Sequence, residues 1–440
     1  MAMVVKNNMS AVNTLNTLNK NSNALSKSLQ KVSSGMRINS AADDSSGYAI
    51  SERMRVQIRS LDQDNKNTQN GNSMMKVAEG AVSSTVEILK TLKEKVINAA
   101  NDTNTDADRQ TIQKELDQSI DQIDDNANVT YNGKYLVDGS HNSKTTATTT
   151  ALTNQSLSTD TLSTSAISDL KNRSGESLYI HSSDNITISY VKQGQTYSTT
   201  FQVSNNSLAG ILLKTAFNGT KTITGELSIN TSQTDIIGTD GSGNTVYTAD
   251  RGCAMTLTAK SSGTDGQIAG FTISITDNTG KINKNANAVL DNFNESIRAQ
   301  NASADNSLVL QTGTKANQAI KVSMTDMRSV ALGLKGTDGT TLNVSTQTKA
   351  NAAITVLDNA LQKALDQQTT IGSIESRLEY TSSNLTTASE NVRASESTIR
   401  DADMAQEMTE YTKNNVLLQA AQSMLAQANQ NSSSVLSLLQ

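Results

Sequence analysis

Apolar residues recur at helical spacing at both ends of the chain, and the longest such pattern fills the last sixty residues. From about Ser382 to Gln440, Val392, Ile399, Met404, Met408, Tyr411, Leu418, Ala421, Leu425 and Ala428 mostly step by three, four or seven. That is the spacing of one stripe down a helix. Neither Pro nor Gly interrupts it, so the spacing predicts one helix about 80–90 Å long at 1.5 Å per residue. Such a helix cannot fold back to hide its stripe and needs a partner. The apolar end Val435-Leu436-Ser437-Leu438-Leu439 adds surface for another molecule to cover. An unsatisfied stripe points to assembly rather than catalysis.

The N-terminal hundred residues mirror this. Val12, Leu15, Leu18, Leu25, Leu29, Val32 and Met36 step by three, four or seven through a background of Asn, Ser, Lys and Gln. A break is expected at Ser33-Ser34-Gly35, followed by a polar, turn-rich loop to Gly47. A second helix is predicted from about Ala49 to Ala99, with Met54, Ile58, Leu61, Met75, Val82, Val86, Leu89, Leu92 and Val96 on one face. A third should cover Arg109 to Asn126 with Ile112, Leu116, Ile120 and Ile123 inward, before an Asn-Gly turn at Asn132-Gly133. The two termini read as complementary halves of one coiled bundle, since neither buries its stripe alone.

From about Gly139 to Asn285 the period changes to two. Ile186–Tyr190, Thr199–Val203 and Phe271–Ile275 alternate between Gly, Asn and Asp punctuation, the pattern of half-buried antiparallel strands. Helical patterning is expected again near Ala286, interrupted by a hairpin (Leu308–Leu310, Ile320–Val322) and resuming from Ala350. The predicted fold is mostly α with an inserted β-rich region.

Composition sharpens this. The 440 residues contain no Pro and no Trp, and aromatics are 3%. Roughly twenty prolines would be average, and their absence suits long helices. Scarce aromatics argue against a deep ligand pocket. A net charge of −5 with interspersed signs implies neither nucleic acid nor an anionic membrane as partner. No apolar run is long enough to span a membrane. Met1 to Ser10 lacks the apolar core of a cleaved signal, and one cysteine, Cys253, excludes an intramolecular disulfide framework.

The candidate chemistry is thin. Asp102 to Asp108 resembles a calcium loop but has Ala107 where Gly is required and Gln113 where the closing Glu belongs, so a helix-capping turn is expected. Asp43-Asp44 is read as turn or intersubunit hydrogen bonding rather than a metal site. His141 and His181 have no catalytic partners and read as surface residues; Cys253 reads as a buried or idle thiol. Thr145–Thr150 and Ser156–Ser165 read as O-glycan acceptors or as a flexible solvated tract. Phosphate loops, nucleophile elbows and metal spacings are missing. No catalytic residue, cofactor or metal is expected.

Both ends resemble bacterial flagellin. Ser33-Ser34-Gly35-Met36-Arg37-Ile38-Asn39-Ser40-Ala41 with Asp43-Asp44 and Gly47, Ala78-Glu79-Gly80-Ala81-Val82 and Tyr131-Asn132-Gly133 carry the likeness at one end. Ser397-Thr398-Ile399-Arg400-Asp401-Ala402-Asp403-Met404-Ala405, Leu425 to Gln430 and Val435 to Leu439 carry it at the other. The likeness covers roughly 1–140 and 290–440 and implies a long antiparallel coiled-coil rod plus a variable outer domain. The expected division is 1–45 with 395–440 as terminal coil, 46–140 with 286–394 as helical rod and hairpin, and 141–285 as outer β-rich domain. Leu15, Leu18, Leu25, Leu29, Leu418, Leu425, Leu436 and Leu439 are the residues expected to pack the filament core.

The resemblance further implies an extracellular homopolymer, exported unfolded without a cleaved signal. The implied partners are a secretion chaperone, the export gate, a filament cap and hook-junction proteins. It also places a contact for the flagellin-sensing Toll-like receptor over Lys90, Thr91, Lys93, Glu94, Lys95 and Glu115. Glu94 and Glu115 match that pattern, whereas Thr91 and Lys95 depart from the Arg and Leu of strong agonists, so weak activation is expected. The alternative is a solvated helix face that also meets neighbouring subunits. Rival readings are a hook–filament junction protein and an adhesive or glycan-binding insert. A protease-bearing insert is excluded, because the two His are forty residues apart and form no His-Glu-x-x-His.

Overall fold

The computed structural model describes residues 8–162, 164–204, 207–208, 216–217, 221–222, 227–232, 236–247 and 254–437. Cys253 and Leu439 lie outside the described residues, as does Ser163. Three helices come first: α1 (Met9–Ser34), α2 (Ser45–Ala100) and α3 (Asp106–Ala127). Gly35 ends α1 in the left-handed region at φ 69°, its N–H bonded to Lys31 O, the capping role for which Gly is suited. Between α2 and α3, Thr105 and Asp108 form a reciprocal capping box. The buried Arg109 donates to the carbonyls of Ala99 (2.9 Å) and Asn101 (3.1 Å). The Asp102–Asp108 loop is therefore a cap for two helix ends.

Strands β1 (Thr130–Tyr131) and β2 (Lys134–Tyr135) pair across Asn132 and Gly133, both at positive φ, the geometry of a two-residue hairpin. The insert follows as β3 (Ala151–Asn154), β4 (Asn185–Lys192), β5 (Gln195–Gln202), β6 (Ala216–Phe217), β7 (Lys221–Thr222), β8 (Leu227–Ser232), β9 (Ile236–Thr239), β10 (Thr245–Tyr247), β11 (Ala254–Ala259) and β12 (Ile268–Thr276). A two-turn helix α4 (Lys284–Leu290) leads into β13 (Asn294–Ile297), then the paired strands β14 (Leu308–Gln311) and β15 (Ala319–Val322). Helices α5 (Gln347–Arg400) and α6 (Met404–Ser437) close the chain.

The alternating runs form the sheet β12-β4-β5, and a second sheet runs β13-β3-β11-β8. Since β13 pairs with β3, this sheet continues past residue 285. Helical pattern near Ala286 gives only α4: Asn283 caps it, Asp291 closes it, and the chain then enters the sheet instead of continuing as helix. Thr145 to Thr150 is neither free nor solvated throughout. Thr145, Thr146 and Thr148 hydroxyls donate to the carbonyls of Asn301, Gly241 and Arg298, and buried Thr150 accepts from the Ile268 N–H. His141 is half-buried with Nδ1 3.2 Å from Asn306 O, and His181 is exposed.

The chain divides into two units: the described residues of 1–68, 311–318 and 380–440, and those of 69–310 and 319–379. In the larger unit, Met75, Val82, Val86, Leu89, Leu92 and Val96 of α2 join Leu116, Ile120 and Ile123 of α3 and Val356, Ala364 and Ile371 of α5 in one buried cluster. The stripe predicted for α2 and α3 is thus a core. A second cluster lies between the sheets, with Leu152, Tyr190, Met255, Phe271 and Phe293. Phe271 and Phe293 meet edge to face at 4.9 Å. Gly71 is needed where β14 lies on α2, because a Cβ there would stand 2.7 Å from Leu310 Cδ1.

Candidate assembly surface

Within the smaller unit, α1 and α6 run antiparallel, held by rungs that descend one helix as they climb the other. Asn8 Nδ2 donates to Ala428 O (3.2 Å), Asn21 Nδ2 to Leu417 O (3.1 Å) and Asn414 Nδ2 to Ser28 Oγ (3.0 Å). Lys31 pairs with Glu407 at 3.0 Å. The residues buried in this seam are small: Ser28, Ala421 and Ala428. Leu18, Leu25, Leu418 and Leu425 are only half-buried, a contribution of about 1 kcal/mol each.

Leu15 (45% exposed) and Leu29 (51% exposed) do not enter the seam. They stand fourteen residues apart, two heptads, and so share a face beside it. Val12, Met404, Met408, Val416, Leu417 and Met424 are exposed as well. Leu436 belongs to α6, and nothing further is described of its side chain. The sequence stripe therefore splits in two, a narrow polar seam between α1 and α6 and wider apolar flanks that nothing among the described residues covers. Periodicity finds apolar positions but cannot say which of two adjacent faces a sister helix takes.

The expected single closing helix is interrupted at Asp401-Ala402-Asp403. The five-residue step from Ile399 to Met404, out of phase with the rest of the stripe, is the sequence signal of that break. Asp403 accepts from the N–H groups of Ala405 and Gln406 and so restarts the helix. The Ala402 N–H donates to Gly35 O (3.0 Å) and the Arg37 N–H to Arg400 O (2.7 Å), while Met36 and Asp401 form an antiparallel bridge. The break on α6 thus sits beside the break that follows α1.

Arg400 fastens this junction. Its side chain is buried, Nη1 reaches Glu52 Oε1 at 2.7 Å, Nε reaches Met36 Sδ at 3.1 Å, and the guanidinium lies over the Tyr48 ring at 5.6 Å. Hydrogen bonding from Arg400 holds the Glu52 carboxyl below the usual carboxylate range, helped by Arg55. Asp43 accepts from the N–H groups of Asn39 and Ser40 and from the Ser40 hydroxyl, and the Ser40 backbone contact lowers its pKa most. Asp44 accepts from the Ser46 and Gly47 N–H groups. Both carboxylates are thus turn acceptors. Gly47 leaves room for buried Ile38, whose Cδ1 would lie 2.7 Å from an added Cβ.

In the larger unit, Lys90, Thr91, Glu94 and Glu115 are exposed along α2 and α3. Lys90 pairs with Glu87 on its own helix (2.7 Å), Lys93 with Asp358 of α5, and Lys95 with Glu115 of α3 (3.0 Å). These surface pairs contribute about 0–1 kcal/mol each. Among the described residues no three His, Cys, Asp or Glu cluster to hold a metal, and no helix is long and apolar enough to cross a membrane.

Residues 5–142 match the bacterial flagellin N-terminal helical region and residues 354–439 the bacterial flagellin C-terminal helical region. A flagellin of Clostridium tyrobutyricum is 34% identical over 97% of this chain and 99% of its own length. A flagellin of Bacillus subtilis (strain 168) is 30% identical over 99% of this chain and all of its own. A crystal structure of flagellar hook associated protein-3 from Legionella pneumophila covers 78% of this chain and 97% of its own at 16% identity, with a TM-score of 0.33. Both of these flagellin relatives are matched end to end, and the family is structural, not enzymatic. The chain belongs to the bacterial flagellins, the extracellular subunits of the flagellar filament.

Proposed function

We propose that this subunit polymerises by stacking the apolar flanks of its terminal coil against further copies. The single observation carrying this is the split stripe: small and polar residues at the seam, with Leu15, Leu29, Leu417 and Met424 left outside. A surface that meets a different surface on the next copy without closing extends into an open helix. The polar composition of α1 and α6 suits segments that travel unfolded through the export channel, handed on by a chaperone and export gate. They would then fold beneath a filament cap on a base of junction proteins. Deleting about the last thirty residues should leave a soluble subunit that does not polymerise after seeding. Normal filaments from that truncation, seen by electron microscopy, would remove the coil from the mechanism.

A second reading concerns Lys90, Thr91, Lys93, Glu94, Lys95 and Glu115. Lys95 is tied to Glu115, and Thr91 offers a short hydroxyl where a planar guanidinium would anchor a partner. The expected behaviour is weak activation of the flagellin-sensing Toll-like receptor. Thr91→Arg combined with Lys95→Leu should raise potency in a reporter-cell assay by tenfold or more, at about 1 kcal/mol or more per anchor. Full potency of the unaltered protein at picomolar dose would end this reading.

A further inference from the structure

Nine of the eleven described methionines fall into two groups that follow the two units. Met74, Met75, Met255, Met324 and Met327 are buried in the larger unit. Met9 (62% exposed), Met404 (44%), Met408 (46%) and Met424 (63%) are all in α1 or α6. Met36 and Met54 are half-buried, and the Met36 sulfur already accepts from Arg400 Nε. The most accessible thioethers are therefore concentrated on the flanks of the terminal coil.

Each of the four also has an exposed apolar neighbour on its own side of the helix. Met404 and Met408 are one turn apart, Met424 lies one heptad from Leu417, and Met9 lies three residues from Val12. We propose that Met9, Met404, Met408 and Met424 are a hydroperoxide-sensitive modification site that controls addition of the subunit to a filament. The proposal rests on the assembly reading above, because its effect depends on these flanks being buried between copies.

The chemistry needs only a hydroperoxide as co-reactant. A sulfur lone pair attacks one peroxide oxygen, the S–O bond forms as the O–O bond breaks, and the proton ends on the departing oxygen. Hydrogen peroxide gives one sulfoxide and one water; sulfur is oxidised by two electrons and the peroxide reduced by two. The product replaces a flexible apolar tip with a strong dipole. Placed in an apolar patch, that dipole must lose its water when a second copy docks. Addition is blocked for the free subunit, whereas sulfurs already covered in a filament are shielded from the oxidant.

The test treats full-length subunit and preformed filaments with hydrogen peroxide, maps the added oxygens by peptide mass spectrometry, and measures the critical concentration for polymerisation. Expected are sulfoxides at the four coil methionines of the free subunit, with Met74, Met75, Met255, Met324 and Met327 unmodified. The critical concentration should rise about tenfold or more. The same four sulfurs in filaments should react at least tenfold more slowly. A variant carrying Met9→Leu, Met404→Leu, Met408→Leu and Met424→Leu keeps side-chain volume; it should polymerise untreated and keep doing so after peroxide. If that variant fails untreated, reduction of the oxidised natural protein by thiol-driven sulfoxide reductase must restore polymerisation. Full oxidation of the four with an unchanged critical concentration would overturn the proposal, as would filaments that oxidise as fast as free subunits. Truncated protein that still polymerises would instead overturn the assembly reading, so the two failures are told apart.

Discussion

The terminal coil and the helical body use the same element and the same apolar period, yet bury very different amounts. In the body, Val82, Leu89, Val96, Leu116, Ile120 and Ile371 are fully buried in a cluster that joins three helices with Val322 of β15 and with Leu334, Leu342 and Val344 after it. In the coil, two helices meet over Ser28, Ala421 and Ala428, and the leucines beside that seam stay wholly or partly in solvent. Two helices give each residue about one covered side, whereas a third gives a core. The body therefore buries its own stripe, whereas the coil leaves apolar surface that, in the assembly proposed above, other copies complete.

Leucine truncation on each side should break this comparison most visibly. Leu89→Ala should cost about 3–4 kcal/mol and lower the melting temperature of the body by about 5 °C. Leu29→Ala should change monomer melting by less than about 0.5 kcal/mol but raise the critical concentration for polymerisation several-fold. Thermal circular dichroism and sedimentation of seeded samples read the two effects separately.

Arg400→Ala comes next. It takes the buried guanidinium away from Glu52, Met36 and the Tyr48 ring and so loosens the junction locally. Limited proteolysis should then cut near 35–44 and 401–403 while body melting is unchanged; Arg400→Lys, which lacks the planar fork, should cut at an intermediate rate. The Glu52 pKa is depressed, so its contribution is present at neutral pH and lost as the pH falls through the folded-state value. Acid should therefore loosen the natural junction and leave Arg400→Ala little affected.

Much of this was legible in the sequence. The inward faces of α2 and α3, from Met75 to Val96 and from Leu116 to Ile123, follow directly from spacing, because both lie in one buried cluster. Alternation identified β4, β5 and β12, whose neighbours are near in sequence or strongly patterned. The strand β13 was not legible: Asn294–Ile297 becomes a strand because β3, over a hundred residues away, offers its edge. Nor was the structural use of Thr145 to Thr150, which depends on carbonyls from distant loops. At the candidate site, spacing named Leu18, Leu25, Leu418 and Leu425 beside Leu15 and Leu29 but could not separate seam from flank. The small residues between them decide that.

Smaller effects sharpen the picture. Gly80 is a motif residue exposed in the middle of α2, with open space where a Cβ would stand. Gly80→Ala should stabilise the free subunit by about 0.5–1 kcal/mol. A simultaneous loss of polymerisation would show that a neighbouring copy approaches there. In the insert, burial pushes the Asp291 carboxyl up to about 6, against the Ile273 N–H that lowers it. The folded state then binds the proton more tightly, so this stabilising contribution is complete below the ordinary value of 3.8 and lost as the pH rises through about 6. Asp291 is nevertheless an exposed residue, so Asp291→Asn should stabilise by less than about 1 kcal/mol at pH 7 and by nothing near pH 3.

The most direct measurement is amide hydrogen exchange on full-length protein, first as dilute free subunit and then as filament. The expected result is slow exchange in α2, α3 and α5 between about residues 75 and 123 and between 350 and 378 in both samples. In α1 and α6 exchange should be fast in the free subunit and slow only in the filament. Protection of α1 and α6 equal to that of the body in the dilute subunit would contradict the claim that the coil is completed by other copies.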